Sequence, residues 1–549
     1  KLESHGSAVC PACPSRRCMF SDDSTTAGGA QKWMTKPKYT PLELQDGLAR
    51  QVRRRRAVSK DGLQGLLPAM QIAAGMIPVG YCNSIIAARV VGFVGTHSSG
   101  ASALGDLGAY LLDPALGAAL VGPLATVLLS SAFAVLSEGP LEHAGFFNTH
   151  RALVLLGSLA AVSGQLCIAV GVGSGEAGGG VFVGLLLLAV ARAALGVGLR
   201  ARAAEAAAAP LQLIRAFAAL AVFELMGGAF GWAASTVDWG RIGYFPALAT
   251  AACGQRSGAC FNVRLEMFFA VTLTVLGCSL AMLADEGDER SRRSHRAAKL
   301  NADARSMTLE LVPENATSVE VALTDPGARA VLLASGLAWS GWWCLEGTLE
   351  GFTAGELLGV TWGRSVVRSA RQLRMLVGLV VAFSLPTLVR SVGEFGAWLS
   401  ASLALSSLLL VGVGLRADPG FASVEVWLSA FGGVEVFLLV VPYVIMIRRA
   451  QARGTPAALA VAMVNVPAAA ARLGHAALAG RVRNLLGETG TTDLCVGAVF
   501  ALWAAEVCSR AIVCDRDGFR LPPPATAGPA AGGAALSLPI PARRGKPRP

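Results

Sequence analysis

The sequence predicts an all-α membrane protein with twelve transmembrane helices in two six-helix bundles. Twelve apolar runs carry this prediction, six on each side of one hydrophilic stretch that covers residues 284–328. The composition agrees, because 53% of the 549 residues are hydrophobic and only 15% are charged. A helix of about 20 apolar residues crosses the roughly 30 Å hydrocarbon core of a bilayer. Each run is therefore a candidate membrane span.

The spans are predicted to be helices rather than strands. Hydrocarbon offers backbone groups no partner, and a helix satisfies them internally. The alternation of apolar and polar residues that marks barrel strands is lacking. The 64 glycines and many alanines allow close helix packing. In chain order the predicted spans cover 66–94, 107–136, 152–173, 180–199, 211–234, 266–284, 328–346, 373–390, 395–414, 424–447, 456–480 and 493–512.

Five segments follow from this pattern. We expect a disordered cytosolic tail over 1–65, a first bundle over 66–284, a cytosolic linker over 285–327, a second bundle over 328–512 and a disordered cytosolic tail over 513–549. The tail compositions are polar or rich in proline, alanine and glycine. The chain begins at Lys1 rather than methionine, which leaves room for a targeting sequence before it.

Basic residues at the span ends set the predicted orientation. Cytosolic loops carry an excess of lysine and arginine, and an even number of crossings places both tails and the linker in the cytosol. Four arginines between spans seven and eight argue against this orientation, since it would place their loop on the non-cytosolic side of the membrane. The net charge of +11 then indicates topology and attraction to anionic lipid headgroups rather than a nucleic-acid partner. The supporting residues are Arg53 to Arg56, Arg200, Arg202, Arg290, Arg292, Arg293, Arg448 and Arg449; the opposing ones are Arg364, Arg368, Arg371 and Arg374.

A series of short motifs follows the spans in a fixed order over residues 66–510. The motifs around spans five and six are Gly231-Trp232-Ala233-Ala234, Tyr244-Phe245-Pro246, Ala252-Cys253 and Cys260-Phe261-Asn262-Val263-Arg264. Shorter ones are Ala73-Ala74-Gly75, Leu337-Ala338-Trp339 with Trp342, Pro386 with Arg390 and Gly393, and Val464-Asn465-Val466-Pro467 with Gly480 and Gly487. Together they resemble the sucrose transporters, in the glycoside-pentoside-hexuronide:cation symporter group of the major facilitator superfamily.

This resemblance implies a multi-pass carrier that moves a sugar or glycoside together with a proton by alternating access. Substrate would bind near the bilayer midplane between the halves, lined by spans one, four, five, seven, ten and eleven. The membrane would be the plasma membrane or an internal one such as a vacuole. One departure is that the fourth-span aspartate of the family is replaced by Ala189. A transport-inactive sensor or scaffold, or a carrier of another solute, is therefore an alternative.

Charged residues inside spans are candidates for proton coupling. Glu224 and Glu435 lie near the midpoints of spans five and ten, and Arg192 lies inside span four. A charge at that depth costs about 2.5 to 3.5 kcal/mol on insertion scales, so such residues face a bundle interior or a wet cavity. Our hypothesis is that Glu224 or Glu435 pairs with Arg192 and exchanges that partner for a proton. The alternative is a static ion pair or a permanently protonated glutamate.

Substrate-binding candidates are aromatic or polar. Trp339 and Tyr81 offer ring faces to a sugar, and Asn83 and Asn465 offer amides to its hydroxyls. Interfacial anchoring and helix–helix hydrogen bonds are the competing roles. Arg215 lies one position from an arginine that the family uses for sugar binding, so the resemblance makes it a candidate. It could instead extend to lipid headgroups.

The resemblance also implies gating residues at helix ends, namely Arg200, Glu205, Glu350 and Glu356. Each could instead be an ordinary solvated charge.

Cys253 and Cys260 fall in the predicted external loop, where a disulfide can form. In the N-terminal tail, Cys10 and Cys13 have the spacing of half a zinc site that His5 and Cys18 could complete, but that tail has no core to support a metal, so none is predicted. No Ser/His/Asp, Cys/His or phosphate-loop arrangement is found, so we expect neither an enzyme nor a cofactor. The sequon at Asn315 should stay unmodified in a cytosolic linker.

Overall fold

A computed structural model describes residues 67–90, 114–137, 149–172, 177–207, 210–242, 253, 257–284, 324–417, 419–453, 455–486 and 490–518. These residues are almost entirely helical and include no strand. All twelve helices belong to one compact unit over 61–549. The predicted tails, the linker sequon and the Cys10–Cys13 segment lie outside the described residues.

The described residues form twelve helices in succession. Helix α1 has a turn at Gly75 and Met76 and ends in a π-helical turn, Ile86–Val90; a second π-helical turn, Phe352–Leu357, follows α7. The helices are α1 Leu67–Val90, α2 Pro114–Ser137, α3 Thr149–Gly171, α4 Ala177–Ala206, α5 Pro210–Thr236, α6 Ser257–Leu283, α7 Pro326–Gly351, α8 Val360–Val392, α9 Glu394–Gly414, α10 Phe421–Arg453, α11 Ala457–Leu486 and α12 Gly490–Gly518.

The helices are built for a bilayer. Among the described residues, ten helices are long and apolar enough to cross a membrane by themselves, and α2 contributes a shorter apolar stretch, Gly122–Phe133. Large apolar side chains face outward, as on α8, where Leu376, Val380 and Phe383 are exposed at helical spacing. In water such a stripe would be unstable, whereas lipid solvates it. The chain is therefore a multi-pass membrane protein.

The two sets of six helices pack with the same pattern. Within the first set α1 contacts α5 and α6, α2 contacts α4, and α3 contacts α6. The equivalent pairs in the second set are α7 with α11 and α12, α8 with α10, and α9 with α12. Between the sets, α2 packs on α11 and α5 packs on α8. Because α8 and α11 are the second-set equivalents of α2 and α5, these two contacts are also equivalent to each other. The helices therefore form two related six-helix bundles, called here the first and second halves.

Glycines permit the closest crossings inside each half. A Cβ atom on Gly80 of α1 would lie 1.9 Å from the carbonyl oxygen of Glu224 on α5. In the second half, a Cβ on Gly432 of α10 would lie 1.8 Å from the carbonyl oxygen of Arg374 on α8. No side chain fits either gap, so only glycine allows these backbones to touch. Each crossing includes a charged residue, Glu224 on α5 or Arg374 on α8.

Successive helices run in opposite directions, which gives the bundle two faces. The linker face is where α6 ends and α7 begins, and the disulfide face is the opposite one, where α6 begins and Cys253 and Cys260 form a disulfide. On the linker face, Asp325 caps α7 by accepting a hydrogen bond from the Gly327 amide at 3.0 Å. Burial alone would raise the pKa of Asp325, but Arg453 and Arg449 hold it below its usual range.

Two helices begin well before their predicted spans. Helix α6 begins at Ser257 rather than at 266, and α8 begins at Val360 rather than at 373. Both added segments carry polar or charged side chains, such as Asn262 and Arg368, which lower a hydropathy window without preventing a helix. As a result, Arg371, which fell in the predicted external loop, and Arg374, which fell at the predicted start of span eight, both belong to α8. Neither residue counts as a loop charge against the predicted orientation.

Candidate functional site

A central cavity of about 520 Å³ lies between the halves. Its walls come from α1, α2, α4 and α5 of the first half and from α7, α8, α10 and α11 of the second. The sequence predicted six of these eight helices; α2 and α8 are additional. The cavity reaches toward the disulfide face, since Ile86 near the end of α1 and Trp232 near the end of α5 line it.

A smaller inner chamber of about 100 Å³ continues toward the linker face. Seven residues line both spaces: Glu224 on α5, and Gly122, Arg192, Trp339, Trp343, Leu439 and Arg472. Below the chamber, Tyr443 of α10 stacks on Phe217 of α5, with ring centroids 6.0 Å apart. The Tyr443 hydroxyl also donates a 2.6 Å hydrogen bond to Asn465 Oδ1. These contacts close the space on its linker side.

Ionised side chains cluster on the second-half wall of the cavity. Arg374 donates a hydrogen bond to Glu346, and its Nε lies 3.1 Å from Glu435 Oε2. Arg371 Nη2 lies 4.0 Å from the other oxygen of Glu346. The Arg374 guanidinium also lies over the Trp342 ring, 4.9 Å from its centroid. Three helices thus share one charge network, which offsets the cost of burying each member.

The first-half wall holds a second ion pair. Glu224 Oε2 lies 3.5 Å from Arg200 Nη2, and the Arg200 guanidinium lies 4.7 Å from the ring centroid of Tyr443 in the other half. The predicted partner of Glu224 or Glu435 was Arg192, which lines the same cavity but has no carboxylate oxygen within 4.0 Å among the described residues. Arg200 is eight residues farther along α4, about 12 Å nearer the linker face, at the level of Glu224.

Tryptophans supply the apolar surface of the site. Trp339 stacks on Trp343 with ring centroids 6.3 Å apart, and Arg472 lies over the Trp343 ring at 4.6 Å. Across the cavity, Arg371 lies over the Trp232 ring at 4.6 Å, which joins α8 to α5. A planar apolar surface flanked by charged donors suits a small polar organic molecule.

Comparison with solved structures settles the fold. The structure matches the Escherichia coli fucose:proton symporter FucP, in the outward conformation, with a TM-score of 0.55 and 11% identity, covering 82% of this chain and 98% of that one. It matches the human organic anion transporter MFSD10 with a TM-score of 0.55 and 15% identity, covering 81% and 99%. The chain has the major facilitator fold. No protein-family model and no curated protein matches the sequence.

Within the major facilitator fold, the predicted substrate residues separate into two groups. Trp339 and Asn83 line the central cavity, and Asn465 lines the inner chamber. Tyr81 lies in a buried cluster of the first half, outside both spaces. Arg215 is exposed near the start of α5 and reaches neither space, because its turn of the helix faces outward.

The predicted gating residues make contacts at both faces. On the linker face, Glu205 at the end of α4 lies 2.8 Å from His150 Nε2 at the start of α3. On the disulfide face, Glu356 accepts hydrogen bonds from the Gly490 amide and, at 3.0 Å, from the Thr491 hydroxyl, which fastens the end of α7 to α12. The side chain of Glu350 lies outside the described part of the chain.

The sequence analysis missed four charged cavity residues, Glu346, Arg371, Arg374 and Arg472. Glu346 and Arg374 fell at predicted span ends, and Arg371 fell in a predicted loop. Charged residues are common in both places, so their charge did not indicate a functional site. The signal for α8 was the three- and four-residue spacing of its arginines, which is that of one helix face. Arg472 lay inside predicted span eleven, and the rule that flagged Arg192 applies to it equally.

Proposed function

We propose that this chain is a secondary transporter that moves a small solute by alternating access between its two halves. The observation that carries the proposal is a charged, tryptophan-walled cavity at the interface of two related bundles, with Tyr443 of one half against Phe217 and Arg200 of the other on its linker side. A carrier needs such groups to hold solute and ions away from lipid.

The closing contacts fit a reversible gate. Between the halves, Tyr443 meets only Phe217 and Arg200 among its ring contacts in the described residues. Interactions of this kind are worth about 0.5 to 2 kcal/mol each. A seal of that strength holds one face shut at rest and yields to the free energy of solute binding.

The substrate we propose is a sugar or glycoside, moved in symport with protons. The cavity of about 520 Å³ accommodates a molecule of that size, and the Trp339–Trp343 pair offers the flat surface that sugar C–H groups pack against. The resemblance to sucrose transporters and the fold of FucP, itself named a fucose:proton symporter, support this choice. The proposed setting is the plasma membrane or an internal membrane such as a vacuole.

Glu224 and Glu435 are the proposed proton carriers. Each has an oxygen, Oε2, that is buried and lacks hydrogen-bond geometry to any described partner, although an arginine nitrogen lies 3.5 or 3.1 Å away. Glu346, by contrast, accepts a hydrogen bond from Arg374. A carboxyl group that is incompletely satisfied loses less on protonation, so it can release its arginine when a proton arrives.

Uptake into proteoliposomes of the purified full chain tests the proposal. Labelled sucrose and glucose should accumulate when an inward proton gradient is imposed, and dissipating the gradient should stop the accumulation. In Glu224→Gln or Glu435→Gln, gradient-driven accumulation should be lost while solute exchange without a gradient continues. The matched control is Glu506→Gln, whose side chain is 57% exposed on α12 and outside the cavity.

The alternative is a transport-inactive sensor on the same fold. Ala189, in place of the acid of the family, lines the cavity and brings it no charge. Solute binding without uptake or exchange in the same proteoliposomes would favour this alternative. Unchanged proton dependence in both glutamine variants would remove Glu224 and Glu435 as carriers.

A further inference from the structure

The central cavity and inner chamber hold more positive than negative charge. In the described residues, five arginines and three glutamates line the two spaces, with His475 adding no fixed charge. The arginines are Arg192, Arg200, Arg371, Arg374 and Arg472, and the glutamates are Glu224, Glu346 and Glu435. Two guanidinium charges are therefore uncompensated.

The three carboxylates are all occupied by the same three arginines. Glu224 pairs with Arg200, and Glu346 and Glu435 both pair with Arg374, with Arg371 beside Glu346. Within the described residues, neither Arg192 nor Arg472 has a carboxylate oxygen within 4.0 Å. The excess charge is thus localised on two identified side chains rather than spread over the network.

Arg192 and Arg472 occupy matching places. Both line the cavity and the inner chamber, and they belong to different halves, on α4 and α11. Arg192 is exposed to the cavity although its neighbours Ala191, Ala193 and Ala194 are buried. A ligand held by both arginines would connect the halves at the junction of the two spaces.

Further donors next to these arginines also lack acceptors. The indole nitrogens of Trp339 and Trp343 are buried and have no hydrogen-bond partner in the described part of the chain. The Arg472 guanidinium lies over one of these rings. Unsatisfied buried donors are costly, and a ligand rich in acceptor oxygens would satisfy them.

We propose that Arg192 and Arg472 together bind a carboxylate on the transported molecule, so that the substrate is a small organic anion whose apolar or sugar body packs on Trp339 and Trp343. The inference rests on the proposed function in taking the transport cavity as the binding site, and it differs from it in requiring a negative charge that sucrose and glucose lack. Arginine matches a carboxylate through paired, charge-assisted hydrogen bonds. A neutral sugar would leave both guanidinium charges uncompensated. Because each half contributes one arginine, the anion would also draw the halves together.

Benzoate and benzamide provide a matched pair of probes, equal in shape and different in charge. The measurement is the thermal stability of the purified full chain in detergent, titrated with each probe. We expect benzoate to stabilise the protein and benzamide to have little effect. Losing one charge-assisted partner should weaken benzoate binding by about 10- to 100-fold in Arg192→Gln and in Arg472→Gln. Arg192→Lys, which keeps the charge, should retain part of the binding.

The control variant is Arg510→Gln, whose side chain is 79% exposed on α12 and lines neither the cavity nor the inner chamber. It should bind benzoate as the wild type does. Equal stabilisation by benzoate and benzamide, or no stabilisation by benzoate, would overturn the inference, and this comparison needs only the wild-type protein. Benzoate stabilisation that survives in both glutamine variants would also overturn it. If benzoate binds as expected but no solute crosses proteoliposomes, the anion site stands and the transport proposal fails.

Discussion

Replacing Tyr443 with alanine should open the linker face. Tyr443 belongs to the second half, and its ring contacts Phe217 and Arg200 of the first half. Its hydroxyl, by contrast, bonds Asn465 within its own half. Tyr443→Ala therefore removes contacts that exist only while the linker face is closed. It also removes the hydrogen bond to Asn465, but that bond lies within the second half and is present in both the closed and the open state if the half moves as a rigid body.

The expected size follows from the two lost ring contacts. The ring pair with Phe217 is worth about 0.5 to 1.5 kcal/mol, and the Arg200 contact about 0.5 to 2 kcal/mol. Their sum, about 1 to 3.5 kcal/mol, corresponds to a shift of about 5- to 400-fold in the ratio of linker-open to linker-closed molecules.

Thiol labelling from the linker face measures this ratio. Ala469 is buried in the inner chamber above Tyr443, so the thiol introduced by Ala469→Cys, in a background without the native free cysteines, reports opening. A membrane-impermeant maleimide applied from the linker side should react faster in Tyr443→Ala by the factor above. Tyr443→Phe keeps the ring contacts and should label near the original rate. Equal labelling in all three would refute the gate assignment.

Three further predictions concern single sites. Asp325→Asn keeps the helix cap but loses the ion pairs with Arg453 and Arg449, so the free energy of unfolding should fall by about 1.5 to 3 kcal/mol in thermal denaturation. Since the pKa of Asp325 is lowered, this loss should be full at every pH above about 4 and should vanish only in stronger acid. Trp339→Ala should raise the KM for uptake by about tenfold with little change in kcat, as one aromatic contact is lost; a change in kcat alone would contradict this. Joint replacement of Cys253 and Cys260 by serine should cost about 2 kcal/mol of stability, the closure entropy of a short loop, and an unchanged melting temperature would argue against the disulfide.

The fold was predictable because its main determinant is local. Hydropathy alone marks where a chain prefers lipid, so the twelve helices and their division into six and six followed from the sequence. The start of α8 did not, because the charged side chains Arg368, Arg371 and Arg374 lower the same hydropathy average that identifies a span. The charged side chains of that segment are accommodated by a cavity rather than by lipid. A hydropathy average over neighbouring residues contains no information about a cavity.

The sequence predicted which charged residues line the cavity better than it predicted which of them form ion pairs with each other. Glu224, Glu435 and Arg192 were singled out because each is a charge at membrane depth, and all three line the cavity. Which arginine each glutamate meets depends on the relative heights of neighbouring helices, which sequence spacing within one helix does not contain. The same limit explains why Tyr81 and Arg215 lie outside the cavity, since a rotation of one residue turns a side chain by about 100°.

Rocking of the two halves is the central claim, and distances at the two ends of the α5–α8 pair test it most directly. Leu211 and Arg390 line a crevice between these helices at the linker face, whereas Thr236 and Arg368 are exposed toward the disulfide face. Spin labels at each pair, introduced in a background without native free cysteines, would report both distances during a titration with protons and solute. We predict that the linker-face distance lengthens as the disulfide-face distance shortens. Two distances that stay fixed, or that change in the same direction, would contradict alternating access.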